Sequence, residues 1–464
     1  MKVHRASRLL LASLVLLTPA ALSAQAFGLS EIGSCAIARG FATTASPCKD
    51  ASTIFWNPAA ATSINGWSAV VGAASIAING DFRQDTTNRR WESVVPTAII
   101  PHAFVNYHRA DSKAAFGLGF YVPYGLTSQW TSDFPGRFSA QKAALATFYI
   151  QPNFAWQISP NWSIGGGPIY AHSTVELIQA VDLSSQKTPS GATFGQLGIA
   201  AGTEFARVRL KGSANGFGAQ IGVSGKLADG WSVGARYLSP VAFKYDNADA
   251  TFTQVATNLI VGADLASPFL KGAKIDDLVA PQFATGGALV AQKVSTRIIH
   301  PAQAQAGLAY SGAKNWLVEA DYAWVGWKQF TDLPVTFQGP ASASSRDLIE
   351  LYNNTSAIRL GAEYTIPTEG WKLRAGFAGV ASAAPPETVT PLLPEQDRTY
   401  WNFGVGIPVL KTWTLDATYS RVSTPGARGR IVERTSTSQT ADDLNSGVYS
   451  LSANIFSITL KANF

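Results

Sequence analysis

The sequence has few of the residues from which enzymes build their sites. It contains five histidines, two cysteines and one methionine in 464 residues. It has neither an H-E-x-x-H zinc motif nor a G-x-S-x-G nucleophile turn. Gly165-Gly166-Gly167 is followed by Pro168, where a phosphate-binding loop would begin a helix. We therefore expect no catalytic residue, no metal site and no cofactor, and we expect that the protein is not an enzyme.

The chain also lacks a hydrophobic run long enough for a transmembrane helix. Its longest apolar run, residues 9–17, follows Lys2, Arg5 and Arg8 and precedes Ala24-Gln25-Ala26, which predicts a secretory signal peptide over residues 1–26. Elsewhere Pro, Gly, Asn or Gln interrupts every long uncharged stretch. The three basic residues of the signal account for half of the net charge of +6, so removing it leaves +3. A nucleic-acid partner is therefore not expected.

What the sequence does contain is a repeated pattern of a short turn, a tryptophan and an every-other-residue apolar segment. The pattern occurs at Gly66-Trp67, Asn161-Trp162, Gly230-Trp231, Asn315-Trp316, Gly370-Trp371 and Thr412-Trp413. Tryptophan at strand ends forms an aromatic girdle at a membrane interface. After Trp231, the alternation places Val241 and Phe243 on the lipid face and Arg236 and Lys244 on the lumen face. A soluble β-sandwich is the structural alternative.

The end of the chain favours the membrane interpretation. The last nine residues, 456–464, alternate apolar and polar and finish on Phe464. They resemble the assembly signal of bacterial outer-membrane proteins, which makes the barrel-assembly machinery an expected partner. A chain that spans a bilayer with strands must form a closed barrel. We therefore predict an all-β protein of the bacterial outer membrane.

Fourteen segments are long enough to cross as tilted strands. They are residues 66–79, 101–109, 113–124, 143–158, 162–178, 205–227, 231–245, 297–311, 315–330, 353–366, 371–383, 399–410, 411–422 and 447–464. Links entering the odd-numbered strands are short and links leaving them are mostly long, which places both chain ends at the periplasm. Residues 27–65 show no strand-length alternation. We predict that they form a plug inside a monomeric 14-stranded antiparallel transmembrane barrel of residues 66–464.

The two cysteines lie close together in the predicted plug. In the oxidising periplasm, a bond between Cys35 and Cys48 would close a short loop and contribute about 3 kcal/mol. The alternative is two buried free thiols. Their spacing is not that of a C-x-x-C redox or metal motif.

Several motifs occur in a fixed order along the chain. They are Ala38-Arg39-Gly40, the segment 50–59 ending in Asn57-Pro58-Ala59, Phe116-Gly117-Leu118-Gly119, Pro123-Tyr124-Gly125, Gly136-Arg137-Phe138, Trp324–Phe330 and the segment Pro394–Arg398, including Asp397, with Trp401. Together they resemble the FadL/TodX family of outer-membrane transporters for hydrophobic compounds. The resemblance covers essentially the whole mature chain.

The resemblance implies passive uptake of hydrophobic molecules, with long-chain fatty acids as the expected substrate. Molecules would be captured at the extracellular loops, enter an interior pocket and leave sideways at a kinked third strand. Gly117, Gly119 and Pro123 would form this lateral gate. Alternatively, Gly117 and Gly119 could only pack against the plug, which is called the hatch in this family. Lateral exit is favourable because burial in lipid gains about 0.8 kcal/mol per methylene.

The remaining motif residues have more than one interpretation. Asn57-Pro58 could be a hinge of the hatch or could only end a helix. Arg137 and the pair Asp397 and Arg398 are expected to fix loop structure by ion pairing, in preference to contacting substrate.

The substrate class is left open by the candidate pocket residues. Fatty-acid members of the family place basic residues near the pocket, but here the corresponding position late in strand five is Leu177, and Arg346 does not align cleanly with the second one. His172 shares the parity of Trp162, and Arg236 lies on the lumen face. Neutral aromatic or aliphatic hydrocarbons are therefore the alternative substrate, and a general diffusion porin or a lipid hydrolase is the alternative class. Outer-membrane lipids and lipopolysaccharide are expected to surround the barrel.

Overall fold

The computed structural model describes residues 26–188, 191–262, 270–429 and 446–464, so the predicted signal peptide lies outside it except for Ala26. Helices in this part are short. The α-helices are α1 (Ser34–Ala38), α2 (Thr53–Trp56) and α3 (Ile275–Val279), and the 3-10 helices are Pro58–Ser63, Pro135–Phe138, Ala280–Phe283, Trp327–Gln329, Pro340–Ser344 and Pro386–Thr388. Among the described residues, no helix has the length and apolar character needed to cross a membrane.

The strands make up most of the described chain. They are β1 (Gly66–Gln84), β2 (Arg90–Glu92), β3 (Ala98–His108), β4 (Ala114–Gln129), β5 (Lys142–Ser159), β6 (Trp162–Asp182), β7 (Glu204–Lys226), β8 (Trp231–Leu238), β9 (Val241–Gln254), β10 (Gln292–His300), β11 (Gln303–Tyr310), β12 (Trp316–Val325), β13 (Asp332–Phe337), β14 (Arg346–Ile349), β15 (Thr355–Thr365), β16 (Lys372–Val380), β17 (Arg398–Pro408), β18 (Trp413–Ser423), β19 (Ala427–Gly429) and β20 (Gly447–Asn463).

These strands form a closed antiparallel barrel. The last strand, β20, pairs with β1 from Ser68↔Asn463 to Gln84↔Gly447, so the sheet has no free edge there. The wall has fourteen strand positions, because β8 continues into β9, β10 into β11 and β12 into β13, while β2, β14 and β19 belong to the long links. This confirms the predicted 14-stranded barrel, although individual strands begin or end several residues from their predicted bounds.

The alternation along each strand separates the two faces of the wall. Trp67, Trp162, Trp231 and Trp316 are all exposed on the outer face, near the ends joined by short links. An outward band of aromatic residues at this level forms the girdle expected at a membrane interface. The aromatic girdle predicted from these tryptophans is therefore present in the structure.

The predicted faces are wrong for the second half of the seventh wall strand. The strand breaks at Ser239-Pro240, between β8 and β9. Val241 and Phe243 are fully buried and face the lumen, whereas Lys244 is exposed on the outer face. Proline cannot donate a hydrogen bond to the ladder, so regular pairing stops at Ser239-Pro240. Even-numbered residues face the lumen before this break, and odd-numbered residues face it directly afterwards.

Residues 26–65, called the N-terminal segment below, lie in the lumen. Hydrogen bonds link Ser34 to Ser457 and Thr459 on β20, Ala45 to Glu319 on β12, and Asn57 to the Val223 carbonyl on β7. A segment that contacts strands around the wall in this way occupies the interior of the barrel. A disulfide joins Cys35 in α1 to Cys48 within this segment.

Glycines on the wall allow the N-terminal segment to approach the strand backbone. A Cβ atom at Gly376 of β16 would lie 2.0 Å from the Gly40 nitrogen, and one at Gly361 of β15 would lie 2.4 Å from the Arg39 carbonyl oxygen. Real Cβ atoms do not approach backbone so closely. The Ala38-Arg39-Gly40 motif is thus seated against a glycine-lined part of the wall.

Replacing Gly376 with Val should displace the N-terminal segment from its seat, because backbone atoms of Arg39 and Gly40 occupy the space that the side chain needs. We expect single-barrel conductance in a planar bilayer to rise. The matched control is Ala375→Val, since Ala375 is exposed on the outer face of the same strand. Equal conductance of the two variants, with both barrels folded by gel mobility, would contradict this seating.

Candidate functional site

One irregularity of the wall lies between β3 and β4. These strands pair from His108↔Ala115 to Ala103↔Phe120, and the pairing stops there. Directly afterwards the register of β4 against β5 shifts between Tyr121 and Tyr124. Val122 and Pro123 therefore form a bulge, and Pro123 has no N–H to donate. The rest of β4 departs from β3.

The end of β4 is bonded again to the chain before β3 near the extracellular end. The Val94 N–H donates to the Gln129 carbonyl over 2.8 Å, and Ser93 and Trp130 form an isolated bridge. An opening in the wall, called the window below, is thus bounded by Phe120 on the periplasmic side and Gln129 on the extracellular side.

The start of the N-terminal segment takes the place of the missing partner strand. The Leu29 N–H donates to the Pro123 carbonyl over 2.8 Å, and the Gly125 N–H donates to the Phe27 carbonyl over 2.9 Å. In a membrane each unpaired backbone group is costly, so these bonds stabilise the kinked strand. Phe27 is buried and its ring packs on Tyr124, His300, Trp327 and Phe330. The segment therefore lines the window from inside.

A cavity of about 410 Å³ lies at the window. Ile99 and Ile100 of β3, Val122 and Leu126 of β4, and Leu29 of the N-terminal segment belong to its lining, which is mostly apolar. Such a lining binds apolar solutes by the hydrophobic effect and offers few hydrogen-bond partners. We call it the large cavity.

The large cavity contains one basic side chain, Arg398, and this charge is already paired. Arg398 donates to Glu395 Oε2 over 2.7 Å and to the Ala26 carbonyl over 3.2 Å. Burial raises the pKa of the Glu395 carboxyl, and the neighbouring Arg398 guanidinium opposes that rise. Ala26 N–H also donates to Glu395. The pair therefore anchors the N-terminal segment to the loop before β17.

A second cavity of about 90 Å³, the small cavity, lies further toward the extracellular ends of the strands. Its lining includes Val175 and Leu177 of β6 and Val294 of β10. Leu126, Leu145 and Leu393 line both cavities. The two cavities are consequently neighbours along one apolar path that ends at the window.

The position of the predicted gate needs correction. Gly117 and Gly119 pair with Asn106 and Phe104 in the intact part of the β3–β4 ladder, so the wall is closed beside them. Cβ atoms there would meet Ile54 of the N-terminal segment at 2.6 Å and 3.2 Å. The two glycines therefore pack against the plug. Pro123 lies at the kink, and the opening begins one residue beyond Gly119.

The four candidate pocket residues lie in different places. Leu177 lines the small cavity. His172 is on the outer face, where its Nδ1 lies 2.8 Å from Asn215 Oδ1, so it does not belong to the pocket. Arg236 is buried in the lumen, donates to Gln303 and lies over the Phe55 ring. Arg346 donates to Gln179 Oε1 over 2.8 Å, two residues beyond Leu177 on the same strand face.

The Asn57-Pro58-Ala59 motif ties the N-terminal segment to the wall. Asn57 follows α2, and its side chain donates to the Thr44 carbonyl over 2.8 Å and to the Val223 carbonyl over 2.9 Å. The same side chain accepts from the Ala59 N–H, and Pro58 begins the 3-10 helix. Asn57 thus both ends one helix and connects the segment to β7.

The loop motifs are placed by ion pairs and backbone contacts. Arg137, in the 3-10 helix with Gly136 and Phe138, donates to Glu204 over 2.9 Å and lies over the Phe138 ring. Asp397 accepts from the Ser382 N–H over 2.6 Å. Pro394 lines the large cavity beside Arg398.

Sequence reasoning missed most of the cavity lining. Phe27, Leu29, Leu126, Leu145 and Leu393 have no motif that distinguishes them from other apolar residues. The Val122-Pro123 bulge had a readable signal, because proline interrupts the ladder of a wall strand.

The comparisons with known proteins match this chain to one family and to several proteins of the bacterial outer membrane. The family model described as "Outer membrane protein transport protein (OMPP1/FadL/TodX)" matches residues 15–464. Outer membrane protein P1 of Haemophilus influenzae is 24% identical over 98% of each chain. The long-chain fatty acid transport protein of Escherichia coli O6:H1 is 24% identical over 82% of each chain.

Solved structures agree in fold. A Pseudomonas aeruginosa FadL homologue has a TM-score of 0.77 and 20% identity, covering 95% of this chain and 100% of that chain. The Pseudomonas putida toluene transporter TodX has a TM-score of 0.66 and 16% identity, covering 95% of this chain and 99% of that chain.

Replacing Asn57 with Ala should loosen the N-terminal segment, because two buried carbonyls lose their donor at a net cost of about 1 kcal/mol each. We expect faster hydrogen exchange in peptides covering residues 44–61 with unchanged exchange in the wall. Asn79→Ala is the control, since Asn79 is exposed on β1. Unchanged exchange in both variants would show that Asn57 does not hold the segment.

Proposed function

The chain belongs to the OMPP1/FadL/TodX family of transport proteins of the bacterial outer membrane, and we propose that it takes up hydrophobic molecules passively by lateral exit through the window. The observation that carries this proposal is the large apolar cavity beside the stretch where β3 and β4 are unpaired. A solute in that cavity is close to membrane lipid without passing through water.

The proposed route follows the apolar path described above. A hydrophobic molecule captured near the extracellular loops enters the small cavity, passes Leu126 and Leu145, and reaches the large cavity. The N-terminal segment, acting as a hatch of residues 27–65, blocks the straight path to the periplasm. Each methylene moved from water to lipid gains about 0.8 kcal/mol, so lateral exit is downhill without nucleotide or metal. The filled lumen also argues against a general diffusion porin.

Long-chain fatty acids are the proposed substrate. The two neighbouring cavities, of about 410 and 90 Å³, provide an extended apolar space for an alkyl chain. Arg346 is the candidate partner for the substrate carboxylate at the extracellular end of this space. Its hydrogen bond to Gln179 holds it just beyond Leu177, which lines the small cavity. One relative, from Escherichia coli, is named a long-chain fatty acid transport protein.

Neutral hydrocarbons are the second candidate, and a specific observation favours them. Arg398, the basic residue of the large cavity, is paired with Glu395, and Leu177 offers no charge to the small cavity. A carboxylate in the large cavity would therefore lack an unpaired cation, and the basic residue that lines the small cavity, Lys211, shares that lining with Glu176. We further propose that the protein acts as a monomer, with lipopolysaccharide and other outer-membrane lipids around it, after insertion by the barrel-assembly machinery.

Deleting Pro123 should close the window. The β4 bulge has one residue more than the part of β5 opposite it, and Tyr121 and Tyr124 on either side of the bulge both face inward. The deletion therefore restores regular pairing and leaves the β4 side chains before and after the bulge on their present faces. We expect uptake of radiolabelled oleate to fall about tenfold or more, since a continuous ladder separates cavity from lipid.

The control for this deletion is Pro168→Ala. Pro168 is also a wall proline, but it lies in β6 where the register does not shift. Surface expression and heat-modified gel mobility should match the parent for both variants. Parental uptake by the Pro123 deletion, with the barrel intact, would exclude the window as the exit.

Replacing Arg346 with Gln should separate the two substrate classes. If the carboxylate is recognised at the mouth, oleate uptake falls several-fold while uptake of 1-octadecene, which has a similar chain without the carboxylate, stays at the parental level. Arg428→Gln, which removes an exposed loop cation paired with Asp85, is the control. An equal effect on both solutes would remove Arg346 from substrate selection.

A further inference from the structure

The outer face of the wall carries a localised group of basic residues near the extracellular ends of the strands. On β7, Phe217 and Ile221 are 74% and 60% exposed and belong to the apolar band that faces lipid. Outward positions further toward the extracellular end are Asn215, Ser213, Lys211 and Arg209. The change from apolar to polar along one face marks the level at which lipid chains give way to headgroups.

The basic residues of three neighbouring strands meet at and just beyond this level. We call Arg209, Lys211, Lys244, Lys293 and Arg297 the basic patch. On β7 and β9, Lys211 is the register partner of Asp249, and on β9 and β10, Lys293 is also the partner of Asp249. Lys244 lies directly opposite Arg297. All five side chains are on the exposed outer face.

The pairing of Lys244 with Arg297 is unfavourable in the protein alone. Like charges directly opposite one another in an antiparallel pair are destabilising. Lys244 reaches this face only because the strand breaks at Ser239-Pro240, which reverses the parity of β9 relative to β8. The break therefore places Lys244 on the outer face beside Arg297, although the sequence pattern predicted that Lys244 faces the lumen.

Local acidic residues neutralise the patch only in part, although Asp246 is also exposed on β9, two residues from Lys244. Glu176 pairs with Arg209 and with Lys142, and Asp249 pairs with Lys293 over 2.6 Å. Within the described residues, Lys211, Lys244 and Arg297 form no ion pair. Three cations thus remain available for an anion supplied from outside the chain.

The patch also has a shape that suits a ligand. A depression of about 490 Å³ is lined by Arg209, Lys211 and Lys293 together with Asp249. On the outward faces of β15, β16 and β17, the positions near the extracellular ends are the uncharged Ser356, Gly379 and Thr399.

We propose that the basic patch binds the phosphate groups of a phosphorylated glycolipid in the outer leaflet of the membrane. Arginine and lysine both bind phosphate through charge-assisted hydrogen bonds. The exposed Phe217 and Ile221 lie toward the membrane centre on the same strand face, where the acyl chains of that lipid would pack. This continuity with an apolar surface favours a lipid over free phosphate. The patch lies on the outer face of the wall. Lys211 also lines the small cavity, whereas Lys244 and Arg297 line neither cavity.

The test uses the purified full-length mature barrel in detergent. Binding of bisphosphorylated lipid A is measured by native mass spectrometry and by thermal shift, beside dephosphorylated lipid A and inorganic phosphate. The variant combines Lys211→Gln, Lys244→Gln and Arg297→Gln. The control combines Lys113→Gln, Lys226→Gln and Lys314→Gln, three exposed lysines at the periplasmic end.

We expect the patch variant to bind bisphosphorylated lipid A at least about tenfold more weakly than the parent, and the control to match the parent. Without lipid the patch variant should be at least as stable as the parent, because the Lys244–Arg297 repulsion is removed. Oleate uptake is measured with the Lys244→Gln and Arg297→Gln double variant, which leaves the cavity-lining Lys211 in place. Uptake by this variant should persist, which separates this proposal from the transport route.

Three results would overturn the proposal. One is equal binding of lipid A by the patch variant and the parent. Another is equal binding of dephosphorylated and bisphosphorylated lipid A by the parent, which would assign the affinity to acyl chains alone. The last is binding of inorganic phosphate as tight as that of lipid A, which would make the occupant a free anion. If the triple variant does not fold, the single Lys244→Gln variant is compared with Lys226→Gln under the same criteria.

Discussion

The structure depends on the need to pair every backbone N–H and C=O that crosses the membrane. The closure of β20 on β1 meets this need for most of the wall. Where β3 and β4 separate, Phe27 and Leu29 supply two of the missing bonds from inside. The N-terminal segment is therefore more than a plug that fills space, because it also stabilises the irregular strand beside the window. Any movement of this segment changes the pairing of β4.

Buried ion pairs in the barrel lumen hold the N-terminal segment in place. Arg39 pairs with Glu319 over 2.6 Å, and the Asp321 carboxylate accepts from the backbone of Thr43 and Thr44. Lys461 on β20 lies between Asp416 of the wall and Asp50 of the segment. Removing one member of such buried pairs leaves an uncompensated charge, which costs several kcal/mol. Charge pairing in the lumen thus fixes the plug, while apolar contacts line the cavities.

The sequence predicted the regular parts of this protein and some irregular ones. Tryptophans after short turns, alternation along the strands and the final Phe464 were sufficient for the barrel and its fourteen strand positions. Pro123 was readable as a break because proline lacks an N–H. Gly117 and Gly119 left two interpretations open, a lateral gate and packing against the hatch, since a glycine on the lumen face fits a gap and a close contact equally well. The contact with Ile54 decided between them.

By itself the sequence determined the fold class, because a period of two and interfacial tryptophans are local properties that lipid and water act on directly. Tertiary structure alone decided which residues meet. Leu126 and Leu393 line one cavity although 267 positions separate them, and no local pattern encodes that contact. The inversion at Ser239-Pro240, which places Phe243 inside and Lys244 outside, likewise depends on how β9 pairs with β10 and leaves β7.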